Sequence, residues 1–340
     1  MTTFSLCMIV KNEEKTLARC LDSIADLMDE IIIIDTGSTD ATKEIAGRYT
    51  DRVYDYAWTG DFSDARNYSF SLATGDYIYA ADADEVLDPE NHKRLSDLKQ
   101  VLLPEVEIVQ MKYHTISPEG ADYDTVLNCR MEYRPKLYKR LRTWTWQDPV
   151  HEMVRLSPVV FDSDIVIEHR PDGLHNKRDF SIFINAYKKQ GYLSDNLWTM
   201  YATELLKTGD PEDLKAAAAV YAQAPASAEL EAACVLARYY RLFGLSHDFE
   251  ALGLADIAAD NCSELCYELA AYLESQGQAE QALGWYEKAL TVTRPALDIH
   301  TGGDKALGGM SRCYWALGQN DAADQYAAKA KKWELPLEFD

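Results

Sequence analysis

The sequence predicts an α/β domain over residues 1–175, built on a parallel sheet, followed by an all-α helical-repeat domain over 176–340. Three observations predict it. Short apolar runs alternate with stretches of helical period through the first hundred residues, the pattern of a parallel sheet with crossover helices. Acidic residues and one arginine stand where those runs end, at the sheet edge that binds ligands in open α/β folds. After Pro171-Asp172-Gly173 the composition turns to helix formers. There Gly209, Gly244, Gly277 and Gly318 recur 35, 33 and 41 residues apart, near the ~34-residue period of helical-hairpin repeats.

Phe4-Ser5-Leu6-Cys7-Met8-Ile9-Val10 reads as a buried strand, and Lys11-Asn12-Glu13-Glu14 as the turn leaving it. Leu17, Cys20, Leu21, Ile24 and Leu27 form a helical stripe that packs back on the sheet. Glu30 to Asp35 carries four consecutive isoleucines, which requires a strand covered on both faces. It runs into Thr36-Gly37-Ser38-Thr39-Asp40. Gly37 is free to take a positive φ there, and Ser38 or Thr39 to cap a helix that turns Ile45 and Ala46 inward. Asp35 is thereby placed at the carboxyl end of a parallel strand. Arg52 to Tyr56 is a third strand, and the segment from Trp58 to Asn67 leads into a helix running towards Leu72. Tyr77 to Ala81 is a short buried strand, and the polarity changes abruptly at Asp82.

Asp82 and Asp84, one residue apart at that turn, present hard oxygen ligands suited to a divalent cation that keeps part of its coordination for water and phosphate oxygens. A solvated acidic turn has the same Asp-x-Asp spelling, so the upstream residues decide between the two. For Asp35 the bland alternative is a helix-capping acid, and for Arg66 a surface partner of Asp61 or Asp64.

Four motifs stand in order: Ile9-Val10-Lys11-Asn12-Glu13, Ile34-Asp35-Thr36-Gly37-Ser38-Thr39-Asp40, Asp64-Ala65-Arg66-Asn67 and Ala81-Asp82-Ala83-Asp84-Glu85. Together they resemble the nucleotide-sugar-binding half of the family 2 glycosyltransferases with the GT-A fold, over about the first half of the chain. The resemblance implies the nucleotide-diphospho-sugar transferase fold and inverting, metal-dependent transfer from a nucleoside-diphosphate sugar. By it the donor is UDP-linked and the cofactor is Mn2+ or Mg2+. It implies that Asp35 meets the base or ribose, that Val10 and Glu13 line the same pocket, and that Arg66 lies near the uracil or the diphosphate. Asp82 and Ala83 would contact the donor, with Asp82 and Asp84 holding the cation. Many relatives carry two adjacent acids where this chain has Asp35-Thr36, which leaves open the nucleoside atom that Asp35 touches. A cation so held would neutralise the charge that develops on the departing diphosphate.

Residues 106–113 alternate as a half-buried strand, and Met131 to Tyr138 is another, which Pro135 assigns to a sheet edge. Ser117-Pro118-Glu119-Gly120 is the turn between them. The segment Trp144-Thr145-Trp146-Gln147-Asp148-Pro149-Val150-His151-Glu152 sets two indoles before a group of ionisable residues. Each indole is either a platform for a sugar or acceptor, or core filling. Inverting transfer needs a base near the attacking hydroxyl or thiol and away from the metal. Glu152 is the first candidate, since it resembles the acid that related transferases place after the acceptor-side segment. His151 competes with it, and Asp148, beside Pro149, is third. His169 closes the strand-like run from Val159 to Glu168. It resembles the late histidine that GT-A enzymes add as a third metal ligand, and its alternative is a strand-end histidine bonded to a neighbour.

In the C-terminal region Ala282, Tyr286 and Ala289 follow Gly277 with the spacing of a tetratricopeptide (TPR) hairpin, which assigns Leu269 and Leu273 to the packing face of its first helix. Tyr314 to Gly318 with Ala323, Ala327 and Ala330 makes a second hairpin, ending at Pro336. Weaker copies turn near Gly209 and Gly244, and Thr293 to Asp304 is an insertion. Four hairpins in a short solenoid would bind something extended. The arrangement resembles transferases that glycosylate bacteriocin peptides on cysteine or serine, so a peptide or protein acceptor is expected. A lipopolysaccharide-core or other surface glycan is the alternative acceptor, and a non-catalytic nucleotide-binding scaffold is a reading of another class. Turnover of a nucleotide sugar discriminates the last.

Fifty-six acidic against 34 basic residues give a net charge of −22, which argues against nucleic acid or an anionic membrane as principal partner. Seven cysteines without CxxC spacing read as small buried hydrophobes of a reducing compartment, and Cys262 with Cys266 lacks the second pair that a zinc site requires. The sequence has no basic stretch followed by a secretory apolar segment and no apolar run near the ~18 residues of a membrane span. A cytoplasmic protein is expected, and a homodimer is left open.

Overall fold

The computed structural model describes residues 2–115, 132–140, 146–151, 153–154, 158–170, 176–254 and 262–333. The chain divides into two units, 1–186 and 187–340. That division falls within the helix Asn176–Gln190, after the compositional change.

The first unit is an α/β domain. Its strands are β1 (Phe4–Val10), β2 (Glu30–Asp35), β3 (Val53–Asp55), β4 (Tyr77–Ala81), β5 (Glu85–Val86), β6 (Ile108–Thr115), β7 (Glu132–Lys139), β8 (Trp146–Gln147), β9 (Met153–Val154) and β10 (Val160–His169). Eight form one sheet in the order β3-β2-β1-β4-β7-β6-β10-β5, and β8 pairs with β9 apart from it. β3, β2, β1 and β4 run parallel, and β7 is antiparallel to both of its neighbours. The four helices that cross between strands are α1 (Leu17–Ile24), α2 (Thr42–Ala46), α3 (Phe62–Ser71) and α4 (Pro89–Val101).

The isoleucine run is covered on both faces, as its composition requires. Ile31 and Ile33 join Leu6, Met8 and Tyr79 in a core that includes Leu17 and Leu21 of α1, Ile45 of α2 and Leu95 of α4. Ile32 and Ile34 face the other way, with Cys7, Ile78, Phe70 of α3, Tyr138 and Trp146. Strand residues alternate between the two cores because successive side chains leave opposite faces of the pleat.

Two local expectations are corrected, and one alternative left open for Trp146 is decided. Pro135 does not lie on an edge strand: β7 sits between β4 and β6. The proline is tolerated because β4 pairs only with Leu137, Tyr138 and Lys139, and because the β6 ladder shifts register between Val109 and Gln110, opposite Pro135. Neither Ser38 nor Thr39 caps α2; Asp40 Oδ1 accepts the Thr42 N–H at 3.0 Å instead, while Ser38 Oγ accepts the N–H of Asn12 at 2.9 Å. Trp146 is core filling, packed edge-on against Phe70 and Tyr138 at ring separations of 5.8 and 5.4 Å. Trp144 and the turn at 117–120 lie outside the described residues.

The second unit contains four helical hairpins, Asp195–Thr208 with Pro211–Tyr221, Glu229–Leu242 with Ser246–Ala251, Ser263–Ser275 with Ala279–Thr291, and Asp304–Ala316 with Asn320–Lys331. Gly277 and Gly318 turn at φ 75° and 74°, conformations costly for any residue with a Cβ. Ala282, Tyr286 and Ala289 are buried as expected, whereas Leu269 and Leu273 are only half-buried. The buried face of Ser263–Ser275 carries two acids instead. Glu264 Oε1 accepts the N–H groups of Ala296, Leu297 and Asp298 at 2.9, 2.7 and 2.7 Å, which docks the 293–304 insertion. Glu268 accepts from Arg238 Nε and Arg241 Nε, each at 2.6 Å. Burial would raise its carboxyl, and the two guanidiniums overcome that and hold it below the usual carboxylate range. Among the described residues six cysteines are buried and unbridged, and no helix is long and apolar enough to cross a membrane.

Candidate active site

Parallel pairing of β1 with β2 and β4 brings Val10 and Asp35 into register and delivers Asp82 to the same edge of the sheet. The loops that follow β1 and β2 are tied together. Thr36 donates its N–H and its hydroxyl to the Val10 carbonyl at 3.0 and 3.2 Å. Asn12 takes a left-handed φ of 56°, and its Oδ1 accepts the Thr39 N–H at 2.8 Å. Asparagine tolerates that conformation better than most side chains. Glu13 donates its N–H to Thr42 Oγ1 at 2.7 Å, and its Oε2 accepts the Thr16 hydroxyl at 2.7 Å.

Asp35 is wholly buried. Its Oδ1 accepts the N–H groups of Gly37 at 3.0 Å and Ser38 at 2.9 Å, which shapes the turn. Oδ2 is buried without a hydrogen-bond partner among the described residues. Leaving such an oxygen unsatisfied costs about 1–3 kcal/mol, so a donor on a ligand would remove a standing penalty. A helix-capping role accounts for neither oxygen.

The acidic turn is held from several sides. The Asp82 carbonyl accepts the Glu85 N–H at 3.2 Å, and the Asp84 carbonyl accepts the Arg170 N–H at 2.9 Å. The Asp82 side chain, 52% accessible, lies with Oδ1 3.7 Å from Arg66 Nη2. Partial desolvation in the pocket would raise the carboxyl, but the positive charges of Lys136, Arg66 and Arg134 outweigh that and hold it below the usual range. β10 ends beside this turn because His169 pairs with Glu85 across the β10–β5 ladder. His169 Nε2 consequently lies 2.9 Å from Asp84 Oδ2. Among the described residues no group of three His, Cys, Asp or Glu is arranged to hold a metal. Asp84 and His169 form a mixed oxygen–nitrogen pair, and Asp82 lines the same pocket; carboxylate oxygens of this kind are donors that a hard divalent cation could use together with phosphate and water.

A pocket of about 470 Å³ opens at this edge. Val10, Glu13, Arg66, Asp82, Ala83, Asp84, His151 and His169, eight of the residues singled out from the sequence, line it. Asp35 lies buried next to Thr36, which also lines it. Arg66 is buried, with its guanidinium 5.1 Å from the Trp146 ring centroid, so it is not the surface partner of Asp61 or Asp64; Asp61 caps α3 through the N–H groups of Ser63 and Asp64. Asn67 anchors β8, since its Oδ1 accepts the Trp146 N–H at 2.8 Å and its amide donates to the Trp146 carbonyl at 3.2 Å. Positive φ values at Asp148 (74°) and His151 (49°) mark a sharply bent segment, and His151 reaches the pocket while its ring stacks 6.0 Å from Phe183. Glu152 lies outside the described residues.

Five further lining residues, Lys11, Trp58, Phe62, Tyr113 and Arg134, were not read as site residues from the sequence. Trp58 and Phe62 meet edge-to-face at 4.7 Å, and their spacing of four around Gly60-Asp61 was a readable signal of a shared aromatic wall. Tyr113 and Arg134 come from neighbouring antiparallel strands and carry no local signal.

Residues 5–154 match the family model described as Glycosyl transferase family 2. The N-terminal unit carries a family 2 glycosyltransferase domain. A TPR repeat-containing protein of Synechococcus elongatus is 36% identical over 162 residues, 45% of this chain and 36% of that protein. The SPbeta prophage-derived glycosyltransferase SunS of Bacillus subtilis is 38% identical over 102 residues, 29% of this chain and 24% of that one. The matches thus span about a third and a quarter of those relatives' lengths. Glucosyl-3-phosphoglycerate synthase from Mycobacterium tuberculosis, solved with Mn2+, uridine diphosphate and phosphoglyceric acid, aligns with a TM-score of 0.41 at 20% identity, over 57% of this chain and 80% of that one.

Proposed function

We propose that the family 2 domain takes a sugar from a nucleoside-diphosphate donor, UDP-linked and bound with Mn2+ or Mg2+, and transfers it with inversion to a peptide or protein acceptor. The observation that carries this reading is a pocket at the carboxyl ends of parallel strands with Asp82 and the Asp84–His169 pair in its wall, and with the buried, unsatisfied Asp35 one residue from its lining Thr36. Asp35 Oδ2 would accept a hydrogen bond from the nucleoside, and the Trp58–Phe62 pair supplies apolar wall. Asp84 and His169, with Asp82, would hold the cation. When bound, that cation would offset the negative charge gathering on the diphosphate as the anomeric bond breaks. Lys136 and Arg66 hold the Asp82 carboxyl below its usual range. Glu152, or the neighbouring His151, would take the acceptor's proton as the new bond forms. The helical hairpins favour an extended acceptor, and the relative named for TPR repeats is consistent with that division of labour.

Thermal-shift measurements on the full chain with uridine diphosphate, with and without MnCl2, test the donor reading. A ligand that binds only the folded state adds about 2.7 kcal/mol of stability at a hundred times its Kd. The expected result is a rise in melting temperature that needs both nucleotide and metal, followed by hydrolysis of a nucleotide-sugar panel. No shift and no hydrolysis with any donor would leave a non-catalytic scaffold as the better reading.

A further inference from the structure

Arg66, expected near the uracil or the diphosphate, is engaged with Asp82 and Trp146, which leaves the terminal phosphate without a cationic partner of its own. Arg134 stands on β7 opposite Met111 of β6 and lines the same pocket as Asp82, Asp84 and His169. Its guanidinium carbon lies 3.9 Å from the centroid of the Tyr113 ring, and that ring packs 5.2 Å from the ring of His169. Tyr113 is buried, so it is a fixed platform. Glu132, two residues earlier on the strand, holds one edge of the fork: Arg134 Nε donates to Glu132 Oε1 at 2.6 Å and Nη2 lies 2.5 Å from the same oxygen. Nη1 makes no hydrogen bond among the described residues. A guanidinium stacked on a ring and pinned along one edge is pre-organised to offer its remaining donors to an anion. Arg66, the pocket's other arginine, is buried against Asp82 and Trp146 and is already engaged.

We infer that Arg134 is a leaving-group ligand that binds the terminal phosphate of the nucleoside diphosphate, in the same pocket as Asp84 and His169, which would hold the cation. This inference rests on the donor reading above. In the transfer, the bond from the sugar's anomeric carbon to the phosphate oxygen breaks, and its electron pair stays with the phosphate. The acceptor's oxygen or sulfur bonds to the anomeric carbon and its proton goes to the base. Charge therefore grows on the terminal phosphate as the reaction proceeds, and Arg134 binds it more strongly in the transition state than in the ground state.

Affinities of the full chain for uridine diphosphate and uridine monophosphate, measured by calorimetry in MnCl2, test the inference. The monophosphate keeps the nucleoside and lacks the terminal phosphate. Arg134→Met is expected to weaken the diphosphate about 10- to 100-fold, the worth of one charge-assisted hydrogen bond, and to change the monophosphate less than about twofold. Donor hydrolysis and transfer should fall together, and Arg134→Lys should recover part of the loss because it restores the charge without the planar fork. Glu132 is exposed, so the substitution leaves no buried charge unpaired. Equal weakening of both nucleotides, or of neither, overturns the inference while the donor reading stands. A wild-type protein that binds neither nucleotide overturns the donor reading and this inference with it.

Discussion

Lys136→Met removes one half of a buried ion pair next to the acidic turn. The Lys136 side chain is 8% accessible and that of Glu85 3%, and Lys136 Nζ donates to Glu85 Oε1. Glu85 Oε2 is buried with no hydrogen-bond partner among the described residues, so the lysine is the carboxylate's main compensation. Breaking such a pair by deleting one partner costs about 3–5 kcal/mol, because the remaining charge stays desolvated. For a unit of this size that corresponds to a fall of roughly 6–20 °C in melting temperature. Burial pushes the Glu85 carboxyl above its ordinary value, with Asp82 and Asp84 adding to the rise, even though Lys136 opposes it. A raised carboxyl pKa means that the folded state holds the proton more tightly than the unfolded chain, so this group weakens the fold as pH rises through its folded pKa. Without Lys136 the rise is larger, and the variant's deficit should be full at neutral pH and shrink on acidification, as Glu85 becomes neutral. Calorimetric melts of the full chain between about pH 4.5 and 8 measure both effects. The double substitution Lys136→Met, Glu85→Gln should recover most of the loss, since replacing both charges removes the unpaired one. A single-variant deficit below about 1 kcal/mol at neutral pH, or one unchanged by acid, would refute the reasoning.

Asp84→Ala should abolish metal-dependent turnover and the metal-dependent part of uridine diphosphate affinity with little change in melting temperature, since it relieves repulsion within the acidic turn; a wild-type rate in Mn2+ would sink the cation assignment. Glu152→Gln should slow transfer by about 10²–10⁴-fold with nucleotide affinity nearly constant. If the rate is kept, the same series at His151 and Asp148 decides which of them is the base. Gly309→Ala should destabilise the helical unit by about 1–3 kcal/mol through overpacking. An added Cβ would stand 2.2 Å from Cζ of the buried Tyr286, and an unchanged melt would show that the two helices separate freely.

The amino-acid sequence by itself determined the elements whose neighbours make little difference to them. β1, β2 and β4 appear at the spans their apolar runs indicated, because a strand buried on both faces announces itself in consecutive residues. The α1 stripe and the hairpins at Gly277 and Gly318 were legible for the same reason, since helical period and a positive-φ glycine act over a few residues. Most of the candidate site was legible too, because Val10, Asp35 and Asp82 end parallel strands and parallel strands end at one edge. Tertiary structure alone decided the contacts whose partners are distant. His169 meets Asp84 across 85 residues, Lys136 meets Glu85 across 51, and Arg134 covers Tyr113, each through the pairing of strands around β6, β7 and β10. Register sets those contacts, and a slip of one residue would turn every side chain to the opposite face, so local composition leaves them open. The same holds for Pro135 inside the sheet and for Glu264 and Glu268 inside the helical unit. A proline reads as an edge and an acid as surface until the partner that spares the missing hydrogen bond, or supplies the opposing guanidinium, is in place.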